Sequence, residues 1–418
     1  MKITIVSMHC APEPTGNAPY VMSLARGLAA RAHEVTVVTA VPFYPQWAHY
    51  PGYEGSRVEE TIDGVRLVRL RHYVPVKMSS LKRLVSESHG GIRAWLSGEI
   101  GGDVILFVTP ALFHSAISSR RAGSTPWGVW VQDIYSAGMK ETSAGGGVAG
   151  SVVSSVERSF MRRADGIAVI HDRFGAAIES QLGIDRGKIT TIRNWSHLEV
   201  PTQIENRREQ FGWREDELIV VHAGNQGVKQ HLDNVVEAAR LADADDVPVR
   251  FVLLGDGNQH EHLVKLAKGV NRIQFIAPLP DDQYFDALAS ADVLLVNELP
   301  GVKDMSLPSK LTSYFATGRP VLAATDSESV TATEIRAAGA GLIVGSGSPK
   351  ALLDGALEIQ ADPEFAERLG AAALVFREHV LSESAAVSAF EAWLENLRDR
   401  RQPAKDGSSE KSGFSSPE

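Results

Sequence analysis

The sequence holds one cysteine, Cys10, among 418 residues. A single thiol cannot close an intramolecular disulfide, so stability must come from packing, and a cytosolic setting fits. Cys10 reads as a small residue at a strand end rather than a reactive thiol. Long apolar runs are also absent, since nothing approaches the ~18 residues of a membrane helix. The opening MKITIVSM is too short and too β-branched for a signal-peptide core and reads as a buried first strand. Positive charge is not in excess. A formal charge of −9 disfavours a generally basic nucleic-acid binder. No complete G-x-G-x-x-G loop is present, so dinucleotide binding lacks its fingerprint. No Asp-x-Asp pair stands near a nucleotide-binding type of loop, so nothing calls for a metal.

What is present is alternation. KITIVSM, EVTVVTA, VRLVRL, DVILFV, WGVWVQD and GIAVI are short β-branched runs separated by helical stretches such as 18–30. The pattern pauses at EVPTQI, near residues 199–204. It then restarts with LIVVHAG, VRFVLLG, IQFIA, DVLLVN, PVLAA and GLIVG, with a helix over 232–241. Such alternation implies parallel sheets built from β–α–β units. The length exceeds what one core usually supports. The expected fold class is therefore α/β, with two facing, doubly wound, Rossmann-like domains over 1–199 and 200–381. A closing amphipathic helix over 382–401 carries Val387, Phe390, Trp393, Leu394 and Leu397 on one stripe and is expected to pack back toward the first domain. Residues 402–418 have almost nothing to bury and are expected to be disordered. Ligands of such sheets bind at the carboxyl ends of the strands.

Several segments fall at those ends. In LPSKLTSYFATGRPVLAA, Ser306 is a candidate N-cap, Pro308 suits a first helical turn, and Gly318 with Pro320 stops the helix. Lys310 in a first turn opposes the helix dipole unless an external anion docks there. In LIVVHAGNQGVKQHL, Gly224, Asn225 and Gly227 allow close backbone approach and Lys229 supplies charge. The alternative is a plain turn with a solvated lysine. Two cations from two loops suit a diphosphate. Gly255 and Asp256, with Gly257, form half a fingerprint, since His260 stands where the third glycine would, and are expected to shape a ligand-facing turn. His260 and His262 form an H-x-H pair lacking a third metal ligand. In the first half, Gly16 and Asn17 sit in a Pro-rich turn before a helix, as ligand contacts or as a tight connection. His171 and Asp172 follow GIAVI, for ligand contact or for capping. Asp133 follows WGVWVQ, facing an acceptor or capping a helix. Residues 65–83 carry Arg66, Arg69, Arg71, Lys77, Lys82 and Arg83 and no acid, interspersed with Leu, Val, Tyr and Met. They suit either an anionic membrane surface or a strand edge with a solvated helix.

With APEPTGNAPYVMSLARGLA, PFYPQWAHYPGY at 42–53, GNQGVKQHLDNVVEAA at 224–239 and LPSKLTSYFATGRPVLAA at 307–324, the chain up to about residue 400 resembles the GT-B retaining glycosyltransferases of family 4. The bacterial subgroup that builds capsule, exopolysaccharide and O-antigen repeat units is the nearest in kind. The resemblance implies transfer of a sugar from a nucleoside diphosphate to an acceptor hydroxyl with retention, without a cofactor. It implies a cytoplasmic enzyme, peripheral on the inner face of the plasma membrane, with a sugar or lipid-linked acceptor. Lys229 and Lys310 would neutralise the diphosphate. Gly224, Asn225, Gly255, Asp256, Asp304, Ser306 and Ser309 would line the donor, with the base near Ile276 and Leu279. Asp133 would orient the acceptor, with Gly16, Asn17 and His171 on its side. The family usually carries two glutamates where this chain has Met305 and Ser313, and Asp304 or Glu298 are the residues placed to substitute. A nucleotide-sugar 2-epimerase of the same fold and a catalytically silent donor-binding or partner subunit remain as alternatives. A nicotinamide oxidoreductase is disfavoured by the incomplete glycine loops.

Overall fold

In the computed structural model, residues 1–14, 16–75, 79–135, 148–195, 201, 203–301 and 310–401 are described. The chain divides into two compact units, Met1–Asn194 with Ala386–Glu418, and Trp195–Ala385. The first division falls just before the pause in the sequence pattern. Residues 196–200 and 202, which include part of that pause, lie outside the described ones, as do the C-terminal residues 402–418.

The first unit is built on an eight-stranded sheet. Its strands are β1 (Lys2–Val6), β2 (Glu34–Ala40), β3 (Arg57–Ile62), β4 (Val65–Leu70), β5 (Val104–Val108), β6 (Trp127–Val131), β7 (Gly166–Val169) and β8 (Ile189–Thr191). They lie in the order β3-β4-β2-β1-β5-β6-β7-β8. All neighbours run parallel except β3 and β4, which pair antiparallel. The sequence pattern implied parallel pairing throughout and did not show β3 or β8. Both are edge strands. β3, RVEETI, is mostly exposed, so it has no apolar run to betray it. The helices α1 (Ala18–Ala30), α2 (Ser80–Leu96), α3 (Leu112–Ser118), α4 (Val148–Arg163) and α5 (Asp172–Leu182) connect these strands.

The second unit has a six-stranded, all-parallel sheet of β9 (Leu218–Ala223), β10 (Val249–Leu254), β11 (Ile273–Ile276), β12 (Val293–Asn297), β13 (Val321–Ala324) and β14 (Gly341–Val344). The order is β11-β10-β9-β12-β13-β14. Its helices are α6 (Asp233–Ala244), α7 (His260–Leu266), α8 (Asp281–Ser290), α9 (Lys310–Phe315), α10 (Val330–Ala338), α11 (Pro349–Ala361) and α12 (Pro363–Val380). Every residue of β9, β12 and β13 is buried, because helices cover both faces.

The last helix, α13 (Glu383–Arg401), crosses the second division of the chain and packs its apolar stripe on the first unit. Phe390 and Leu394 are fully buried, and Phe390 lies 4.7 Å from Trp130. The fit depends on missing side chains beneath it. A Cβ on Gly128 would sit 2.3 Å from Trp393, and one on Gly166 2.8 Å from Leu397. Glu391 adds a polar clasp, accepting from Arg31 and His33 at 2.7 Å each.

Each sheet has one point where the chain reverses its direction of travel. In the first unit it falls between β1 and β5, and in the second between β9 and β12. Loops diverge at the carboxyl ends of those strands and leave a crevice, which is where open α/β sheets bind ligands.

Candidate functional site

In the second unit the crevice is walled by the loops after β9, β10 and β12. The first two are locked together through backbone. Gly255, at φ +129, sits so close that a Cβ would fall 2.1 Å from the Gly224 carbonyl oxygen. Gln226 joins the loops through four bonds, none of which the sequence suggested. Its N–H donates to the Asp256 carbonyl at 2.8 Å and its Nε2 to the Gly255 carbonyl at 3.0 Å. Its own carbonyl accepts from the Gln259 N–H, and its Oε1 meets His260 Nδ1 at 2.8 Å. Gln226 is fully buried. The Asp256 carboxylate accepts from the Gly257 N–H at 2.7 Å and shapes the turn.

The loop after β9 continues into a single helical turn, Val228–Gln230. Lys229 is exposed there and makes no ion pair among the described residues. Its carbonyl accepts from the Leu299 N–H at 2.9 Å, which ties the turn to the loop after β12. Asn297 fixes the turn from beneath, donating to the Gln230 and His231 carbonyls, while its Oδ1 accepts from buried Asn234. Asn225 is exposed, and its amide reaches Gln230 Oε1 at 3.4 Å.

Lys310 begins α9, and its side chain enters this same crevice. Nζ lies 3.1 Å from Nε2 of fully buried His222, the penultimate residue of β9. Cε and Nζ pass within 4 Å of the position a Cβ on Gly224 would take. Burial pulls the Lys310 ammonium down to about 7, against the opposing pull of the Glu298 carboxylate. Burial, helped by Lys310, holds His222 well below the usual histidine range, so neutral Nε2 accepts from the lysine. Glu298 itself is committed. Its oxygens accept from the hydroxyls of Thr325 and Thr331, the latter at 2.7 Å.

The remaining expected donor residues divide as follows. The Ile276 carbonyl accepts from the Gly255 N–H at 2.8 Å, so β11 ends at the same crevice. Leu279 is half-buried against the core of the unit. Ser313 is buried within α9. Asp304, Met305, Ser306, Pro308 and Ser309 lie outside the described residues. The H-x-H pair is split, with His260 on Gln226 and His262 on Asp233 at 2.6 Å. Among the described residues no group of three or more His, Cys, Asp or Glu could hold a metal ion.

In the first unit, Gly16 is exposed at φ +69, in a turn that favours glycine. Asn17 is buried, and its amide donates to the Thr109 carbonyl at 3.1 Å. It fastens the loop after β1 to that after β5, so its amide nitrogen is not free for a ligand. His171 is a capping residue, because Nδ1 accepts from the Arg173 N–H at the start of α5 and the ring is buried. Burial brings it down to about 4. Asp133 is exposed at the end of β6 and supports the charge of Arg83. Cys10 is buried, which pushes its thiol up to about 12 and leaves it protonated and unreactive.

A second carboxylate–histidine pair in this unit has no signature in the sequence. Glu13 is buried and accepts the N–H groups of Phe43 and Tyr44, at 2.8 and 3.0 Å, while its other oxygen meets His9 Nδ1 at 2.7 Å. His9 stacks on Phe43 at 5.2 Å.

The basic segment 65–83 is not one solvated surface. Arg69 is fully buried, donating to Glu60 at 2.5 Å and to the Ala11 carbonyl at 2.6 Å. Arg66 bridges Glu59 and Glu99. Arg71 is spent on His49 and the Tyr53 carbonyl, and Arg83 on buried Glu87. Arg66 and Arg69 are three residues apart on β4 and so point to opposite faces, the first half-exposed and the second buried. Lys82 remains exposed, and Lys77 lies outside the described residues.

Comparison with known proteins bears on the family and the fold. Residues 15–195 match the family described as glycosyl transferase 4-like domain, and residues 203–375 match glycosyl transferases group 1. The chain is 31% identical to a glycosyl transferase named for colanic acid biosynthesis, WcaI of Escherichia coli K12, over 76% of this chain and 82% of that one. It is 27% identical to the 2-deoxystreptamine glucosyltransferase of Streptomyces kanamyceticus over 51% of this chain and 56% of that one. Its fold is similar to sucrose-phosphate synthase of Thermosynechococcus elongatus, with a TM-score of 0.69 at 18% identity over 96% and 100% of the two chains. It is also similar to HepE of Anabaena, solved with UDP, with a TM-score of 0.66 at 17% identity over 95% and 100%.

Proposed function

Because this chain belongs to the family-4 glycosyltransferases of the GT-B fold that act in exopolysaccharide biosynthesis, we propose that it moves a sugar from a nucleoside diphosphate to an acceptor hydroxyl with retention of anomeric configuration. The observation that carries the donor assignment is Lys310, a half-buried lysine directed at a neutral histidine beside the glycine loop after β9. Such a group is costly to bury unless an anion completes it. HepE, of like fold, was solved with UDP and with UDP-glucose, which supports a nucleoside diphosphate as that anion.

In this reading Lys310 and Lys229 hold the diphosphate as negative charge builds on the leaving oxygen, a stabilisation that grows in a dry site. The glycines of the loop after β9 let its backbone approach the same phosphates closely. The acceptor hydroxyl attacks from the face the diphosphate leaves, and its proton passes to the departing phosphate oxygen. That route needs no pair of free carboxylates. Glu298 and Asp256, both at the crevice, are already engaged by Thr325, Thr331 and the Gly257 N–H. The acceptor is proposed to be a lipid-linked saccharide.

The test is mass spectrometry and NMR of products from a panel of nucleotide sugars offered with lipid-diphosphate saccharides. A glycosylated acceptor with the donor's anomeric configuration is expected. Epimerised donor without glycosylated acceptor would sink the transferase reading. Tight donor binding with no turnover would instead favour the silent subunit, which the non-acidic Ser313 and Met305 would then explain.

A further inference from the structure

Helix α2 is amphipathic in the reverse sense. A surface helix normally turns its apolar stripe to the core. The inward face of α2 is instead Ser86, Glu87, Gly90, Gly91 and Ala94, all buried. These small residues bring it hard against α3, where a Cβ on Gly91 would sit 2.8 Å from the His114 carbonyl oxygen. The large apolar side chains point outward. Leu81 is 71% exposed, Val85 45%, Ile92 43%, Trp95 40% and Leu96 66%. At 100° per residue these five fall within one stripe of the helix.

The charge around the stripe is one-sided. Glu87 is the one acidic residue of α2, and it is buried and paired with Arg83 at 2.8 Å. Lys82 is exposed beside Leu81 and Val85, whereas half-buried Arg93 is turned aside and donates to the Ser56 carbonyl at 2.9 Å. The turn Ser119–Arg121 packs against α2 and adds exposed Arg120 and Arg121. In a chain of net charge −9, this is a positively charged rim around an apolar strip.

We propose that the outer face of α2 docks the first unit on an anionic lipid bilayer, with Leu81, Val85, Ile92, Trp95 and Leu96 at the headgroup–acyl boundary and Lys82, Arg120 and Arg121 on the headgroups. The combination of Trp and aliphatic residues with flanking bases is that of an in-plane helix. A second copy of this chain fits less well, because a two-fold contact through this face would oppose its own bases. The inference does not depend on the transferase reading.

The experiment is flotation of the full chain with vesicles of equal parts phosphatidylglycerol and phosphatidylcholine, against phosphatidylcholine alone. Binding to the anionic vesicles is expected, weakening with salt. Leu81→Glu with Trp95→Glu should reduce it by about tenfold or more, and Lys82→Glu should weaken it with the apolar strip intact. Val375→Glu, an equally exposed apolar site on α12, should leave it unchanged. Unaltered far-ultraviolet circular dichroism and melting would confirm that the variants fold. No binding by the parent chain, or equal binding by the double variant, would overturn the proposal. So would a concentration-dependent dimer in sedimentation that the double variant abolishes.

Discussion

Lys310 Nζ and His222 Nε2 lie 3.1 Å apart at the carboxyl end of β9, where burial holds both away from their charged forms and Lys310 adds to the effect on His222. With Lys310 brought down to about 7, much of it is neutral at pH 8 when no anion is present. A diphosphate favours the protonated lysine, so binding must draw a proton from solution. Calorimetry of UDP binding at pH 8, in buffers of different ionisation enthalpy, should show uptake that approaches one proton. Lys310→Met keeps most of the packing and should abolish the uptake. Heats that do not depend on the buffer in the parent chain would count against the assignment.

Lys229 stands on the loop after β9, in water. Its replacement should touch neither fold nor protonation. Lys229→Ala is expected to melt as the parent does and to weaken UDP by about tenfold, the lower end for a hydrogen bond to a charged group. Equal UDP affinity by equilibrium titration would remove Lys229 from the phosphate site. The contrast with Lys310 separates a solvated clamp from a half-buried one.

Gly255 tests the scaffold rather than the chemistry. Its φ of +129 and the 2.1 Å approach of the Gly224 carbonyl leave no space for a methyl group. Gly255→Ala must push the loops after β9 and β10 apart, at a cost of about 2 kcal/mol or more. Lower stability in urea unfolding together with weaker UDP binding is the expected pair of results. A variant as stable as the parent would mean that the two loops are not coupled.

The strands that carry these loops were legible in the sequence because both of their faces are buried. LIVVHA and DVLLVN are unbroken apolar runs for that reason. β3 was not legible, since an edge strand such as RVEETI has little to bury. Lys229 could be singled out as a cation beside a glycine loop, and Lys310 as a lysine in a first helical turn, against the helix dipole. Their partners could not. His222 and Asn297 sit within or at the end of apolar runs, and Gln226 in a loop. What makes them matter is which carbonyl or ammonium the register brings opposite, and that is a property of β9 lying between β10 and β12. The same limit explains Arg69. Counting arginines in VRLVRLRHY reveals positive charge but not that Glu60 and the Ala11 carbonyl enclose one of them.

Buried histidines in the first unit make stability depend on acid. His72 and His114 are nearly inaccessible, and burial is the main cause that lowers both, His114 to about 3. His114, and after it His49, His9 and His89, lie close enough to depress His72 further. An unfolded histidine titrates near 6.5. Below that pH the unfolded chain takes up protons that the folded chain refuses, so stability falls as pH drops from 6.5. For His114 the loss continues to about pH 3, and for His171, buried at the start of α5, to about pH 4. Each such group contributes up to about 1.4 kcal/mol per pH unit within its window. Urea unfolding at pH 7, 6 and 5 should show stability decreasing, and His114→Gln should make that decrease shallower even if it lowers stability at pH 7. A variant with the parent's slope would show that His114 already binds its proton in the folded chain.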